Sequence, residues 1–113
     1  MFCWKSAQDY EWRQIEAISL VLSKHYKLLE FLFEKQRPRL RRSPEDLLEE
    51  SLCFSSGERT LIRVALDFWS GSGNAKIWEL FETLDQGNFE NVLVGLQYLG
   101  VKSHGGGDQP FAN

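Results

Sequence analysis

Residues 15–32 read Ile15-Glu16-Ala17-Ile18-Ser19-Leu20-Val21-Leu22-Ser23-Lys24-His25-Tyr26-Lys27-Leu28-Leu29-Glu30-Phe31-Leu32. Within them Ile15, Ile18, Leu22, His25, Leu29 and Leu32 are spaced 3-4-3-4-3. At about 100° per residue that spacing draws one seam down a helix. Val21, Leu28 and Phe31 form a second seam beside it. Together the apolar arc spans roughly 200°, wider than the stripe a surface helix needs. The pattern predicts a central helix over 8–36. Ser6 with Asp9 three residues on reads as its N-cap. Arg37-Pro38 ends it, because proline disfavours helical geometry in the residue before it. Drawn straight, such a helix is about 42 Å long. A compact chain of this size is under about 40 Å across. A kink, a protruding end or a paired copy in a dimer would each resolve the excess.

Outward from this stretch, every periodicity is again helical, and none alternates as a strand does. Ser43-Pro44-Glu45-Asp46 is a helix start: a capping serine, proline at the first position and acids in the first turn. The helix it opens is expected over 44–53, with Leu47, Leu48 and Leu52 inward. Ser55-Ser56-Gly57-Glu58 has the capping-box form and opens a helix over 57–69. There Leu61, Ile62, Val64, Ala65, Leu66, Phe68 and Trp69 again cover about 200°, marking a second central helix. Arg63 and Asp67 read as an i,i+4 pair on its polar side. Ser70-Gly71-Ser72-Gly73-Asn74 is a connector with Asn74 as the next cap. Residues 75–84 form a helix with Ile77, Trp78, Leu80, Phe81 and Leu84 inward. After the turn Asp85-Gln86-Gly87-Asn88, residues 89–99 follow with Phe89, Val92, Leu93, Leu96 and Leu99 inward and Gly100 as C-cap. The expectation is an all-α single-domain bundle of about five helices over 1–102, with the 8–36 and 57–69 helices central. A flexible Gly-rich tail over 103–113 completes it.

The chain has 113 residues, 42% apolar and 26% charged. That length buries roughly two thirds of the unfolded surface without disulfide or metal, and the composition excludes disorder over the whole chain and fibrous classes. No apolar run reaches the roughly 18 residues of a membrane span. Met1-Phe2-Cys3-Trp4-Lys5 lacks the basic head and long apolar stretch of a secretory signal. Cys3 and Cys53 read as reduced thiols, so a cytoplasmic protein is expected. Net charge is −3, unevenly spread. Arg37-Pro38-Arg39-Leu40-Arg41-Arg42 carries four positive charges and no acid, while the segments after it are acidic.

No catalytic constellation is visible, and the protein is not expected to be an enzyme. Ser55 and Ser56 are explained as helix caps rather than nucleophiles. Glu49 and Glu50, being adjacent on a helix, do not face one site. The Gly-rich loop at 70–74 follows a helix and lacks phosphate-loop spacing. The two histidines lie 79 positions apart and the two cysteines 50, so no metal or cofactor is expected. His25, mid-seam among apolar residues, is a candidate buried switch, or simply a core histidine with one hydrogen bond.

Two binding readings remain. Trp4, Tyr10 and Trp12 lie off the main seam, and with Phe31 and Tyr98 they are candidate partner-binding residues, since exposed aromatics mark interfaces. The expected function is a regulatory or adaptor-like helical protein, bound to another protein or to itself through the 8–36 helix. No membrane and no small-molecule substrate are predicted. The alternative is a DNA-binding regulator. Residues 75–99 resemble a helix-turn-helix whose second helix exposes Glu90, Asn91, Val94, Gln97 and Tyr98. Arg37, Arg39, Arg41 and Arg42 are then candidate phosphate contacts. Against that stand the second helix, which has no Lys or Arg, and the acids Glu45, Glu49 and Glu50, which are ready partners for those arginines.

Overall fold

Ser55 and Glu58 begin the element on which the rest is built. Ser55 Oγ accepts the Glu58 N–H at 3.2 Å and the Glu58 carboxylate accepts the Ser55 N–H at 3.0 Å, a complete capping box. The computed structural model describes residues 9–102, with side chains over 12–100. Six α-helices and no strand are found among these described residues. They are α1 (Asp9–Val21), α2 (Tyr26–Leu32), α3 (Pro44–Glu50), α4 (Ser56–Ser70), α5 (Ile77–Thr83) and α6 (Gln86–Lys102), with a 3-10 turn at Ser51–Cys53. The expectations placed on Cys3, Trp4, Ser6 and residues 103–113 lie outside the described residues.

The chain is all-α, with one helix more than the five expected. α4 touches α1, α2, α3 and α5, and α1 lies between α4 and α6. Leu61, Ile62, Val64, Ala65, Leu66 and Phe68 of α4 are buried, as its wide apolar arc predicts. Against them pack Ile15, Ile18 and Val21 of α1 and Leu28, Leu29 and Leu32 of α2.

The additional helix comes from a break. The helix expected over 8–36 stops after Val21, and α2 starts at Tyr26. Across the break the bonding tightens: Ser23 N–H donates to Leu20 O at 3.4 Å and His25 N–H to Leu22 O at 2.8 Å. No proline or glycine causes this. Turning the chain buries Leu28, Leu29, Leu32 and Phe33 in the common core. Each such side chain gains about 1.5–3 kcal/mol. The two or three helical hydrogen bonds forgone are worth about 1 kcal/mol each, so burial wins. The break also resolves the length excess: the molecule measures 44 × 35 × 22 Å, and the thirteen residues of α1 span only about 20 Å.

Several local expectations need correction. α2 ends at Leu32, five residues before Arg37-Pro38; Phe33 pairs antiparallel with Leu40 in an isolated bridge, closed by Glu34 N–H to Arg39 O at 3.0 Å and Arg41 N–H to Leu32 O at 2.9 Å. Leu52 is exposed, because the 3-10 turn rotates it off the face that carries Leu47. Asn74 does not cap α5. It adopts φ +54°, and Lys76 is the capping residue, its N–H donating to the Glu79 carboxylate at 3.1 Å. α6 begins at Gln86 because the Asp85 carboxylate accepts the Asn88 N–H at 2.8 Å. It continues through Gly100 to Lys102.

Arg63 and Asp67 do not pair with each other; both turn to the connector. Asp67 accepts the N–H groups of Gly73, Asn74 and Ala75 at 2.8, 3.0 and 2.9 Å. Arg63 donates to Gly73 O at 3.3 Å. Gly73 lies against the Arg63 backbone so closely that a Cβ there would overlap the carbonyl. The α4–α5 connection is therefore held at a set geometry, which positions α5.

Candidate functional site

α5 has seven residues and buries none of them fully. It touches the bundle mainly through α4. Thr83 Oγ1 donates to Thr60 Oγ1 on that side, and Leu80 and Leu84 are half-buried. Five large apolar side chains expected inward are instead open to solvent: Ile77 (72% exposed), Trp78 (58%), Phe81 (66%), Leu93 (47%) and Leu96 (48%). Ile77 and Trp78 neighbour Phe81 at i+4 and i+3, the Phe81 ring lies 5.8 Å from that of Phe89, and Phe89, Leu93 and Leu96 continue along α6 at 4- and 3-residue steps. Of these, Ile77 and Leu96 line a groove of about 450 Å³, with Val64, Phe68, Leu80, Val92 and Leu99 also on its lining. A second hollow of about 270 Å³ adjoins it through Leu80 and is walled by Phe81, Leu84 and Phe89.

The exposure of Leu93 and Leu96 follows from how α6 docks. Its contact with α1 centres on Gly95, which is buried. A Cβ at Gly95 would stand 2.7 Å from Val21 Cγ2, 2.8 Å from Phe68 Cε2 and 3.1 Å from Ala17 O. This close approach turns Val92 into the core and leaves Leu93 and Leu96 on the flank. Reading the helix by its leucines gave no weight to a glycine, so the face was missed by about a quarter turn. A signal for α5 was present: four large apolar residues on a two-turn helix, with Leu84 just beyond it, exceed what one neighbouring helix can cover.

The partner-binding residues expected from the sequence are described only in part. Trp4 lies outside the described residues, as does the Tyr10 side chain. Trp12 is exposed on α1. Phe31 is half-buried, edge-on to Phe54 at 5.1 Å and beneath the Arg41 guanidinium at 5.5 Å. Tyr98 faces α1, where its hydroxyl donates to the Glu16 carboxylate. That hydrogen bond, with lesser contributions from desolvation and the Glu16 charge, raises the phenol above its usual value, while Arg13 opposes the shift. Asn91, also expected outward, donates to Ser23 Oγ at 3.2 Å. The exposed residues of α6 with described side chains are Gln86, Glu90, Leu93, Val94, Leu96, Gln97 and Gly100.

His25 is half-buried at the α1–α2 break, not within a helix. Its Nε2 is hydrogen-bonded with Asn88 Oδ1 at 3.0 Å. Three of the four linker arginines have partners within the chain. Arg39 pairs with Glu34 at 2.7 Å, Arg42 with Glu50 at 2.9 Å, and Arg41 donates to Phe31 O at 2.6 Å with Glu50 at 3.8 Å. Arg37 is exposed. The apolar arc on which a second copy was expected to pair is covered by α4 and α6 of the same chain.

Among the described residues no three His, Cys, Asp or Glu side chains converge as metal ligands, and no helix is long and apolar enough to cross a membrane. In comparisons with protein-family models, curated proteins and solved structures, nothing matches this chain.

Proposed function

We propose that this is a small regulatory or adaptor-like protein that acts by binding another protein through the α5–α6 face, without a reaction of its own. The observation that carries the reading is the set of exposed large apolar side chains on α5 and α6, Ile77, Trp78, Phe81, Leu93 and Leu96, two of which, Ile77 and Leu96, line an open groove. Each of these side chains gains about 1.5–3 kcal/mol when fully buried. Leaving five of them half in water forgoes several kcal/mol, a large part of the roughly 5–15 kcal/mol that stabilises a domain. Contiguous exposed apolar surface of this kind marks a binding site. The exposed Cys53 thiol suits the reducing cytoplasm expected from the sequence.

The DNA-binding alternative has less in its favour. Three linker arginines already contact Glu34, Glu50 or Phe31 O, and the outward face of α6 is apolar and acidic rather than basic. The test is a photo-crosslinking side chain placed at position 78 in the full chain in cells, with position 45 on α3 as control. Adducts specific to position 78 are expected. Adduct formation no greater at 78 than at 45 would remove the reading.

A further inference from the structure

We infer that the groove between α4, α5 and α6 takes an amphipathic helix with basic flanks, which deepens the interaction reading above by naming its partner's chemistry. The groove lining is almost wholly apolar. Its one charged member, Asp67, is already engaged by three backbone N–H groups. A small polar ligand would find no convergent polar groups to orient it. A helix laid in the groove needs none, because its recognition rests on apolar anchors at i, i+3 or i+4, and i+7. The first hollow takes one pair of anchors, and the second, which shares Leu80 as a wall, takes the next.

Charge selects among apolar helices. Residues 77–100 contain Glu79, Glu82, Asp85 and Glu90 and no Lys, Arg or His. Glu82, Asp85 and Glu90 are exposed on α5, the turn after it and α6, Glu82 four residues after Trp78 and Glu90 three before Leu93. The bases around it are Lys76 before α5, Lys24 beside Gly87, and Arg63, which donates to Gly73 O. A second copy placed on this face would set Glu82, Asp85 and Glu90 against the same acids with only Lys76, Lys24 and Arg63 to offset them, which is unfavourable. A partner helix carrying Lys or Arg beside its apolar stripe meets both the groove and these acids.

The test uses three synthetic helical peptides with the same apolar positions, flanked by lysine, glutamine or glutamate. Each is titrated calorimetrically into the full chain at about 50 mM and about 500 mM salt. The lysine peptide is expected to bind about tenfold tighter than the glutamine one at low salt, the sum of a few exposed ion pairs. The glutamate peptide should be weakest, and the differences should collapse at high salt. Replacing Glu82→Gln and Glu90→Gln together should erase the preference yet keep binding, while Ile77→Lys should abolish binding with helical content unchanged by circular dichroism. Equal affinities, tightest binding of the acidic peptide, or no peptide binding would each overturn the inference. So would sedimentation showing a dimer that Ile77→Lys dissociates, which would make a second copy the occupant. If position-78 adducts still form while the peptides fail, the partner chemistry is wrong and the interaction reading stands; if both fail, both fall.

Discussion

Asp67 satisfies three consecutive N–H groups of the α4–α5 connection with one carboxylate. Its neighbour at i−4 is Arg63, so helical spacing suggested a surface ion pair, a contact worth under about 1 kcal/mol. The observed role is worth more, because hydrogen bonds to a charged acceptor contribute about 1.5–3 kcal/mol and orphaned buried donors add their own penalty. Asp67→Ala should therefore destabilise the protein by about 2 kcal/mol or more, measured by urea denaturation, and should loosen α5 in hydrogen exchange. Little change in either would show that water replaces the carboxylate. Gly95 is the second decisive residue. Gly95→Ala forces Val21 and Phe68 apart, at an expected cost of about 1–3 kcal/mol. In a thermal melt that is roughly 4–8 °C per kcal/mol for a domain of this size. An unchanged melting temperature would mean that α6 slides without loss.

At the scale of elements, the starts of α3 and α4 were legible. Ser43 caps α3, with its hydroxyl accepting the Asp46 N–H at 3.1 Å, and Ser55 with Glu58 caps α4. Both follow from spacing within four residues, which tertiary contacts rarely override. The break between α1 and α2 was not legible, because its cause is burial of side chains that follow it. The antiparallel seating of α6 on α1 was equally hidden. It is fastened at the break by Ser23 with Asn91 and His25 with Asn88, and at the other end by Glu16 with Tyr98. This last pair makes a pH prediction. The native phenol holds its proton more tightly than the unfolded one, so the native state binds more protons as the unfolded phenol starts to ionise. The Tyr98 contribution is then complete below the usual phenol value of about 10 and declines as pH rises through the native value. Tyr98→Phe should lower stability at neutral pH by about 0.5–1.5 kcal/mol, and the deficit should shrink in alkaline denaturation series. A deficit that stayed constant or grew with pH would disprove the linkage.

For the whole molecule, the arginine linker and the α5–α6 face lead to opposite expectations. With Arg39, Arg41 and Arg42 engaged within the chain, binding to random duplex DNA should lack the steep salt dependence that four free arginine–phosphate contacts would give, a logarithmic slope near about −3.6. A slope that steep in a filter or anisotropy titration would return the regulator reading. The α5–α6 face should instead dominate solution behaviour. Trp78→Ser with Phe81→Ser should leave the melting temperature within a few degrees, since neither side chain is buried, and should reduce binding of a hydrophobic dye to the native protein. A large loss of stability would mean that both residues belong to the core after all.

Fold class, the caps of α3 and α4 and the central place of α4 were written in local patterns: periodicity, capping residues and a wide apolar arc act within a few positions of each other. Which faces ended in water was decided only when the helices met. Gly95 gave α6 a close approach to α1, Asp67 fixed the connector, and α5 was left to lean mainly on α4. A hydrophobic side chain announces that it gains by burial, but the partner that buries it is chosen by the packing of the whole chain. On α5 and α6 that packing supplied too few neighbours, and the surplus is the surface by which we expect this protein to act.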